Sequence, residues 1–311
     1  MARTSQTGKT FVSIALATYN GEAFLAAQLD SILSQTYSHF EIIIIDDGST
    51  DNTGNVLNEY RLKDDRISIF YNEENIGYRD TFYKALLHCK GEYVFFCDQD
   101  DIWVSSKIET LLSAIGENLL VFSDSALVDQ QGIPLDVKLS DTVIMLQPGE
   151  PLLNRGFIIG NCVWGHSIMF HQDLLKYTTL EKNTHAHDWW FAVVASHLNK
   201  IKYCPVVLNY YRQHEKNLTR AIPVKTGKVK GRHIAEFEIQ LSRINSIAAL
   251  PFNKDRSFYL QWQQLFKLRK QKFSFLLLKF LLVYRKDIFC LKRKNIFAQL
   301  VEIRKMCRKT G

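Results

Sequence analysis

The stretch VFFCDQDDIW, residues 94–103, joins an apolar run directly to a cluster of carboxylates. The run begins with a valine and two phenylalanines, and such β-branched and aromatic residues are typical of a buried strand. Asp98, Asp100 and Asp101 follow within four residues, where like charges repel one another and lose solvation. A divalent cation such as Mg²⁺ or Mn²⁺, which takes oxygen ligands, would offset that repulsion. The alternative is a solvated acidic turn, because short Asp-x-Asp strings are common.

The first hundred residues alternate between strand-like and helix-like periods. Strands are predicted over residues 11–17, 40–45, 67–71 and 93–96, and helices over 22–35, 56–61 and 80–88. Ser49 or Thr50 is expected to cap the helix of residues 56–61. This alternation predicts an α/β fold, Rossmann-like, in which a mostly parallel sheet carries helices on both faces. Ligands of such sheets bind at the carboxyl ends of strands, where residues 18–20, 46–51 and 98–101 form polar clusters.

The remainder of the chain is predicted to end in helices. A strand is expected over 119–123, a hairpin turn at 129–132, a polar connection over 136–150, a helix in the second half of 184–196 and a strand over 201–211. The domain prediction is a flexible tail over 1–10, a main domain over 11–222, a linker over 223–232 and a basic helical region over 233–311.

Composition favours a folded cytoplasmic protein. Hydrophobic residues make up 46% of the chain and charged residues 23%, which excludes wholesale disorder. The six cysteines contain no CxxC pair, which favours reduced thiols over a disulfide framework or a metal knuckle. The polar N-terminus is not typical of a signal peptide, and no stretch reaches the roughly 18 apolar residues of a spanning helix.

Positive charge is concentrated at the C-terminal end of the sequence. Residues 262–311 contain 14 lysines and arginines but only two acidic residues, whereas the chain as a whole carries +7. Cations interleaved with Phe, Leu and Ile indicate a basic amphipathic region that binds an anionic membrane surface, placing the protein at the inner face of the cell membrane. The alternatives are packing on the main domain or a homodimer. Nucleic acid is not expected, because no recognition motif accompanies the charge.

Five motifs together resemble one family. ALATYNGEAFLAAQLDSILSQTY, IIIIDDGSTDNT, NIGY, FFCDQDDIWVSSK and HDWW occur in the order and spacing of family 2 glycosyltransferases. The similarity covers residues 11–217 and implies the GT-A fold and an inverting transfer from a nucleotide sugar. The Asp-Gln-Asp-Asp-x-Trp form with a later His-Asp-Trp-Trp is most similar to a rhamnosyltransferase-like branch, which builds bacterial cell-surface polysaccharides.

The resemblance implies a binding site for the donor, dTDP-rhamnose or a UDP-hexose. Its nucleotide-binding residues would be Thr18, Tyr19, Asn20, Glu22, Asp46, Asp47, Asn75, Gly77 and Asp98. Asp46 or Asp47 would accept from the pyrimidine N–H, although helix capping by Asp47, Ser49 and Asp51 is an alternative, as is a simple turn at Asn75 and Gly77.

The metal and the diphosphate would be held by residues from two separate parts of the region that resembles the family. Asp100 would ligate Mg²⁺ or Mn²⁺, and His214 would complete the metal site or contact the diphosphate. Arg212 is a phosphate-clamp candidate, because its planar fork suits phosphate oxygens. Asp101, Trp103 and Lys107 are expected to brace the carboxylate loop, with ordinary packing as the alternative for Trp103.

An inverting transfer also needs a general base, and Asp188 in HDWW matches the catalytic aspartate of the family. The alternative for Asp188 is an N-cap of the helix that follows. Gly165, His166 and Trp189 would lie on the acceptor and sugar side, with core packing as the alternative for Trp189. His187 is expected to be an exposed loop histidine. The acceptor would be a saccharide or a lipid-linked saccharide.

Two other functions fit the sequence less well. A sugar-nucleotidyltransferase shares the α/β architecture but normally has a Gly-rich basic loop after its first strand, where this chain has Thr-Tyr-Asn-Gly-Glu. A non-catalytic scaffold that binds nucleotide sugars or a membrane would not require the intact aspartates at positions 98, 100 and 188.

Overall fold

The computed structural model describes residues 9–145, 154–178, 185–215, 217, 232–268, 273–292 and 294–308. The chain divides into two compact units. Unit 1 comprises Met1–Leu139, Val163–Phe191 and Lys202–Lys216, and unit 2 comprises Ser140–Cys162, Ala192–Ile201 and Asn217–Gly311. Most of the expected tail (1–10) and linker (223–232) lies outside the described residues. The domain boundaries therefore stay a prediction.

One mixed sheet dominates the described residues. Its strands are β1 (Val12–Thr18), β2 (Phe40–Asp46), β3 (Ile67–Tyr71), β4 (Tyr93–Asp98), β5 (Ile102–Trp103), β6 (Leu120–Val128), β7 (Pro134–Lys138), β8 (Ile168–His171) and β9 (Ile201–Arg212). Their order is β3-β2-β1-β4-β8-β6-β9-β5, with β7 paired to β6. Strands β1 to β4 pair in parallel, whereas β8, β7 and β5 pair antiparallel to their neighbours. The predicted parallel sheet is thus the first half of a larger one.

The parallel register aligns the three polar clusters along one edge of the sheet. Thr18, the last residue of β1, is opposite Asp46, the last residue of β2. On the other side of β1, Ala17 is opposite Asp98 at the end of β4. The prediction that these clusters meet at the carboxyl ends of the strands is therefore confirmed.

The antiparallel strands bring distant sequence to the same edge. Because β8 runs against β4, the residues just before β8 reach the end of β4, where the aspartates begin. Likewise, β5 pairs Ile102 with Tyr210 of β9, so that the residues after β9 return beside Asp100.

Helices connect the strands and make up the C-terminal part of the chain. They are α1 (Leu25–Leu33), α2 (Thr53–Lys63), α3 (Tyr78–His88), α4 (Lys107–Ile115), α5 (Leu139–Thr142), α6 (His187–His197), α7 (Arg232–Ala249), α8 (Arg256–Leu268), α9 (Phe275–Val283), α10 (Arg285–Ile288) and α11 (Ile296–Met306). The α/β class and the helical C-terminal region are confirmed. None of the described helices has the length and apolarity required to cross a bilayer.

Two local predictions were wrong. Helix α2 begins after Asn52 without a side-chain cap, because Ser49 donates instead to the Asp46 carboxylate and the Thr50 amide donates to Asn20. The expected polar connection of 136–150 contains most of β7 and α5 in its described part. The hairpin turn at 129–132 is confirmed: Gly132 has φ of 87° and donates to the carbonyl of Asp129.

Unit 2 has an aromatic and ionic centre of its own. Arg155 donates to Asp255 at 2.9 Å and to Asp287 at 2.6 Å. Its guanidinium also lies 4.1 Å from the ring centre of Phe258, which packs on Trp262 and Phe280. Residues far apart in the sequence are thereby joined within this unit.

Gly91, just before β4, packs closely against the backbone of β1. A Cβ at this position would lie 2.4 Å from the Ser13 nitrogen and 2.6 Å from the Val12 carbonyl carbon, and backbone atoms cannot move aside as a side chain can. We expect Gly91→Ala to lower the free energy of unfolding by about 1–3 kcal/mol, measured by urea denaturation. Gly54→Ala is the matched control, because no atom lies within 4 Å of its Cβ and alanine is the better helix former. Equal stability of the two variants would contradict the described packing.

Candidate active site

The three aspartates after β4 differ sharply in exposure. The side chain of Asp98 is 42% exposed, that of Asp100 15% and that of Asp101 1%. Burial raises the pKa of Asp101 well above its ordinary value, and the charges of Asp100 and Asp98 raise it further. Asp98 is therefore the carboxylate best placed to meet a ligand, whereas Asp101 belongs to the interior.

Asp101 is held by hydrogen bonds from β9. Its oxygens accept from the amide of Asn209 and from the backbone N–H of Arg212, both at 3.1 Å. The Arg212 guanidinium donates to the carbonyls of Asp100 and Gln130, each at 2.8 Å, and the residue is 4% exposed. Arg212 therefore braces the carboxylate loop, a contact that the sequence did not predict, and its phosphate clamp stays a prediction.

Lys107 places a fully buried amine beside this loop. Its ammonium donates to the carbonyl of His166 at 2.6 Å and to Asn209 at 3.2 Å, and lies 3.8 Å from the centre of the Trp103 ring. Burial lowers the pKa of Lys107 to about 7. Its hydrogen bonds thus go to uncharged groups, and its effect on Asp98 and Asp101 is electrostatic.

His166 reaches the aspartates from the segment just before β8. Its Nδ1 lies 3.6 Å from Asp101 Oδ2 and 4.0 Å from Asp98 Oδ2, while Nε2 is hydrogen-bonded to Ser125 Oγ at 3.0 Å. Burial, followed by the charge of Lys107, lowers the pKa of His166 to about 3, so the imidazole is neutral. The ring is 2% exposed and stacks on Tyr211, a setting that suits contacts with the aspartates better than the predicted contact with an acceptor.

Asp98, Asp101 and His166 offer ligand atoms that all lie within 4.8 Å of one another, as a metal site requires. Two carboxylates suit Mg²⁺ or Mn²⁺, and a neutral imidazole can add a nitrogen ligand. Desolvation and then the charges of Asp100 and Asp188 raise the pKa of Asp98 to about 7. A bound cation would relieve this crowding of negative charge, so the residues fit the group that the sequence predicts.

The two predicted metal ligands, Asp100 and His214, contact each other directly. His214 Nε2 lies 2.8 Å from Asp100 Oδ2, and the imidazole ring stacks on Phe24 with 4.6 Å between the ring centres. The structure brings together residues 114 positions apart in the sequence. Their role in metal binding stays a prediction beside the Asp98, Asp101 and His166 group.

The first predicted nucleotide loop is joined to the second by side-chain hydrogen bonds. Asn20 has φ of 48° and accepts from the Thr50 amide at 2.8 Å. Glu22 accepts from the Asn52 amide at 2.9 Å. Tyr19 is 43% exposed beside them. Asn20 and Glu22 thus shape the loop, and direct contact of this loop with a nucleotide stays a prediction.

Asp46 and Asp47 have different partners. Asp47 accepts from Asn72, Ile76 and Gly77, which uses both of its oxygens and orders the segment before α3. Asp46 Oδ1 accepts from Ser49. Both carboxylates are buried. Asp47 therefore holds the Asn75 and Gly77 turn, which leaves Asp46 as the stronger of the two candidates for a pyrimidine contact.

Asp188 lies in the first turn of α6, which begins one residue earlier. The alternative prediction, an N-cap at Asp188, was therefore wrong. Asp188 is half-buried, and its charge raises the pKa of both Asp98 and Tyr78, after the larger effect of desolvation on each. The candidate base and the candidate donor-binding carboxylate thus act on the same region of unit 1.

His187 is not the expected exposed histidine. It is 4% exposed and packs on Phe82 and Phe96, with ring centres 4.2 Å and 4.5 Å away. A Cβ on Gly165 would lie 2.8 Å from His187 Nε2, so the glycine allows this close approach, and its place on the acceptor side stays a prediction. Trp189 is 1% exposed, which supports core packing and not sugar stacking.

A sequence profile described as Glycosyl transferase family 2 matches residues 13–178, more than half of the chain. The chain belongs to glycosyl transferase family 2. The match contains every strand end described above up to β8 and all three aspartates of the carboxylate loop.

Curated relatives of this glycosyltransferase carry names that specify a saccharide pathway or a sugar transfer. TuaG of Bacillus subtilis, named for teichuronic acid biosynthesis, is 39% identical over 130 residues, which cover 41% of this chain and 52% of TuaG. WfgD of Escherichia coli, a UDP-Glc:α-D-GlcNAc-diphosphoundecaprenol β-1,3-glucosyltransferase, is 36% identical over 111 residues, 36% of this chain and 43% of WfgD. The matches thus span about half of each relative's length or less.

A solved structure confirms the GT-A fold of this family 2 member. S. aureus TarS 1–349, in complex with UDP-GlcNAc, superimposes with a TM-score of 0.60 at 19% sequence identity. The superposition covers 95% of this chain and 79% of TarS 1–349. At this level of identity the likeness concerns the fold alone.

The sequence did not predict a role for Gln99, which joins the carboxylate loop to the loop after β1. Gln99, the middle residue of Asp-Gln-Asp, accepts from the Thr18 hydroxyl at 2.6 Å and from the Tyr19 amide at 2.8 Å. Its own amide donates to the Tyr19 carbonyl at 3.1 Å. The sequence shows a long amide side chain between two aspartates. Its partners, Thr18 and Tyr19, become evident only in the structure, where β1 lies beside β4.

Burial of His187 makes the folding stability depend on pH. Burial lowers its pKa to about 3 in the folded protein, below the ordinary value of 6.5. The unfolded chain therefore binds the proton more readily, and folding stability falls as the pH drops below 6.5, by about 1.4 kcal/mol per pH unit for each such group. We expect His187→Gln to reduce the slope of unfolding free energy against pH between about pH 4 and 6 by that amount.

The control for this prediction is His39→Gln, because His39 is exposed and solvated in folded and unfolded chains alike. Urea denaturation at several pH values measures the slope. Identical slopes for His187→Gln and the wild type would show that His187 is not buried as described.

Proposed function

We propose that this family 2 enzyme is an inverting, metal-dependent glycosyltransferase. It moves a sugar from a nucleoside diphosphate donor to a saccharide acceptor in the synthesis of a bacterial cell-surface polysaccharide. The observation that carries this proposal is the cluster of Asp98, Asp101 and His166 at the carboxyl end of β4, whose ligand atoms all lie within 4.8 Å of one another. Asp188, from a separate part of the sequence, is proposed to face the sugar whose diphosphate this cluster would hold.

The donor is proposed to lie along the edge formed by the ends of β1, β2 and β4. Thr18 and Tyr19 would line the nucleotide, Asp46 would accept from the pyrimidine N–H, and Asp98 would face the ribose. The name of WfgD supports a UDP-hexose. A dTDP-rhamnose donor rests on the motif resemblance alone, so UDP-hexose is the favoured substrate.

A divalent cation, Mn²⁺ or Mg²⁺, would be held by Asp98, Asp101 and His166, with Asp100 and His214 beside it. When bound, it would neutralise the diphosphate and stabilise the departing nucleoside diphosphate. The chain's own part is to hold these ligands in place. Arg212, Asn209 and Lys107 do so by fixing the carboxylate loop from beneath.

The transfer itself needs one proton acceptor. The acceptor hydroxyl oxygen would form a bond to the anomeric carbon while the bond from that carbon to the diphosphate oxygen breaks on the opposite face. The hydroxyl proton would pass to Asp188, and the bonding electron pair would leave with the nucleoside diphosphate. A well-placed base of this kind contributes about 10²–10⁴-fold to the rate.

The acceptor is proposed to be a saccharide, in lipid-linked form. The name of WfgD, whose acceptor is a GlcNAc-diphosphoundecaprenol, supports this class of acceptor. It would reach the sugar from the side of Asp188 and the segment at Gly165. A cytoplasmic enzyme at the inner face of the cell membrane would meet such an acceptor.

Replacing the candidate base separates binding from transfer. We expect Asp188→Asn to lower kcat by about 10²–10⁴-fold, because the amide cannot take the proton, and to leave the affinity for UDP within about twofold. Release of UDP in single-turnover assays and calorimetric titration with UDP measure the two quantities. Asp65→Asn, an exposed site, is the control. Unchanged turnover of Asp188→Asn would remove Asp188 from the base role.

Replacing Asp100 tests the metal contribution. Asp100→Ala removes one carboxylate and leaves His214 without this partner, so we expect UDP affinity in the presence of Mn²⁺ to fall by roughly 10–100-fold. Affinity measured with a chelator should change little. If Asp100→Ala binds UDP with wild-type affinity in Mn²⁺, Asp100 takes no part in holding the metal.

A donor panel tests the substrate. UDP-glucose, UDP-GlcNAc and dTDP-rhamnose would each be offered with Mn²⁺, with Mg²⁺ and with a chelator, and the freed nucleoside diphosphate measured. We expect metal-dependent release from a UDP-hexose. Release from dTDP-rhamnose alone would replace the hexosyl assignment with the rhamnosyl one, and metal-independent release would contradict the metal site.

A further inference from the structure

The outward face of α9 carries four apolar side chains around the exposed Lys279. Phe275, Leu276, Leu282 and Val283 are 76%, 64%, 43% and 68% exposed. Their spacing of one, seven and eight residues from Phe275 places them on one side of a helix. The opposite side, including Leu277 and Leu281, is fully buried. Helix α9 thus buries one apolar face and presents a second one outward.

Helix α11 repeats this arrangement in its first half. Ile296, Phe297, Leu300 and Val301 are 50%, 76%, 38% and 56% exposed, again at a spacing that shares one helix face. Ile303 and Met306, in the second half of the helix, are buried. The exposed residues of the second half are basic instead.

The two helices are antiparallel neighbours within unit 2. At one end, the Ser274 amide before α9 donates to the carbonyl of Cys307 after α11 at 3.1 Å. At the other end, Arg285 donates to Gln299 of α11 at 2.5 Å. Both helices thus expose apolar side chains on the same part of unit 2. We name the eight exposed apolar residues of α9 and α11 the α9–α11 patch.

Exposed cations accompany this patch on the same two helices and just after each of them. They are Lys279, Lys286, Arg304, Lys305 and Arg308. The only acidic residues between positions 262 and 311 are already paired within unit 2: Asp287 with Arg155 at 2.6 Å, and Glu302 with Lys292 at 3.0 Å and with Lys294. The positive charge around the patch is therefore not cancelled by neighbouring carboxylates.

We propose that the α9–α11 patch docks onto an anionic lipid surface. Apolar side chains of this size gain free energy when they enter the boundary between headgroups and acyl chains, while lysine and arginine extend to the anionic headgroups. Contiguous exposed apolar residues on this scale mark interaction sites in water-soluble proteins, and the surrounding cations select a negatively charged partner. The proposal rests on the membrane location given under the proposed function and names the surface that would hold the enzyme there. The α9–α11 patch contains no residue of the candidate active site.

Vesicle flotation of the full chain tests the proposal. We expect the protein to float with vesicles of phosphatidylglycerol and phosphatidylcholine and to bind pure phosphatidylcholine vesicles far more weakly, with the difference reduced by high salt. Phe275→Ser with Phe297→Ser should weaken binding to the anionic vesicles by roughly tenfold or more. Leu62→Ser with Leu87→Ser is the matched control, because these leucines are 85% and 77% exposed and lie in unit 1.

The cations are tested separately. Arg304→Gln with Lys305→Gln should lower affinity for the anionic vesicles by roughly fivefold per charge removed and leave the weak binding to phosphatidylcholine unchanged. Equal loss in the patch and control variants, or equal binding of the wild type to both vesicle types, would overturn the proposal.

A second copy of the chain is the competing occupant. Light scattering without lipid distinguishes it: a wild-type dimer that Phe297→Ser converts to a monomer, with no binding to anionic vesicles, would assign the patch to dimerisation and overturn the lipid proposal. UDP release with a soluble saccharide acceptor reports on the active site alone, so a failure of lipid docking and a failure of the proposed transfer are distinguishable.

Discussion

Repulsion among three carboxylates at the end of one buried strand is the constraint on which the rest of the site depends. Asp101 is tolerated in the interior because β9 donates an amide and a backbone N–H to it. The buried ammonium of Lys107 adds a positive charge nearby. Asp98, at the same edge but partly exposed, keeps a raised pKa because of desolvation and the charges of Asp100 and Asp188, although Lys107 lowers it in part. The chain thus holds Asp101 by hydrogen bonds and leaves Asp98 open to a ligand.

The geometry of the sheet brings this cluster of carboxylates together with residues from distant parts of the sequence. Parallel pairing places the ends of β1, β2 and β4 in one row, and Gln99 then ties the carboxylate loop to the loop after β1. Antiparallel β8 and β9 bring His166, Arg212 and His214 to the same edge from far along the sequence. Asp188, the candidate base, lies in the first turn of α6. Donor binding and proton transfer are proposed to occur where these elements converge.

The sequence predicted the parallel strands, the three polar clusters and the family, because hydrophobic period and short motifs are local signals. It did not predict which aspartate each distant residue would contact, since those pairings depend on antiparallel strands whose register no motif records. Ser49 was expected to cap α2, but the neighbouring Asp46 carboxylate accepts its hydroxyl. His187 and Trp189 were expected to reach solvent or sugar, yet tertiary packing against Phe82 and Phe96 buries the histidine, and the tryptophan lies in the core.

The central claim is that a cation carrying a sugar nucleotide's diphosphate relieves the charge of Asp98 and its neighbours. Calorimetric titration of the wild-type chain with UDP, in Mn²⁺ and in a chelator, tests it most directly. We expect UDP to bind at least roughly tenfold more tightly with Mn²⁺ than with a chelator. Mutating residues that merely support metal ligands typically lowers metal affinity by 10–100-fold, so removing the metal should have an effect of at least that size. Equal UDP affinity in the two buffers would contradict it.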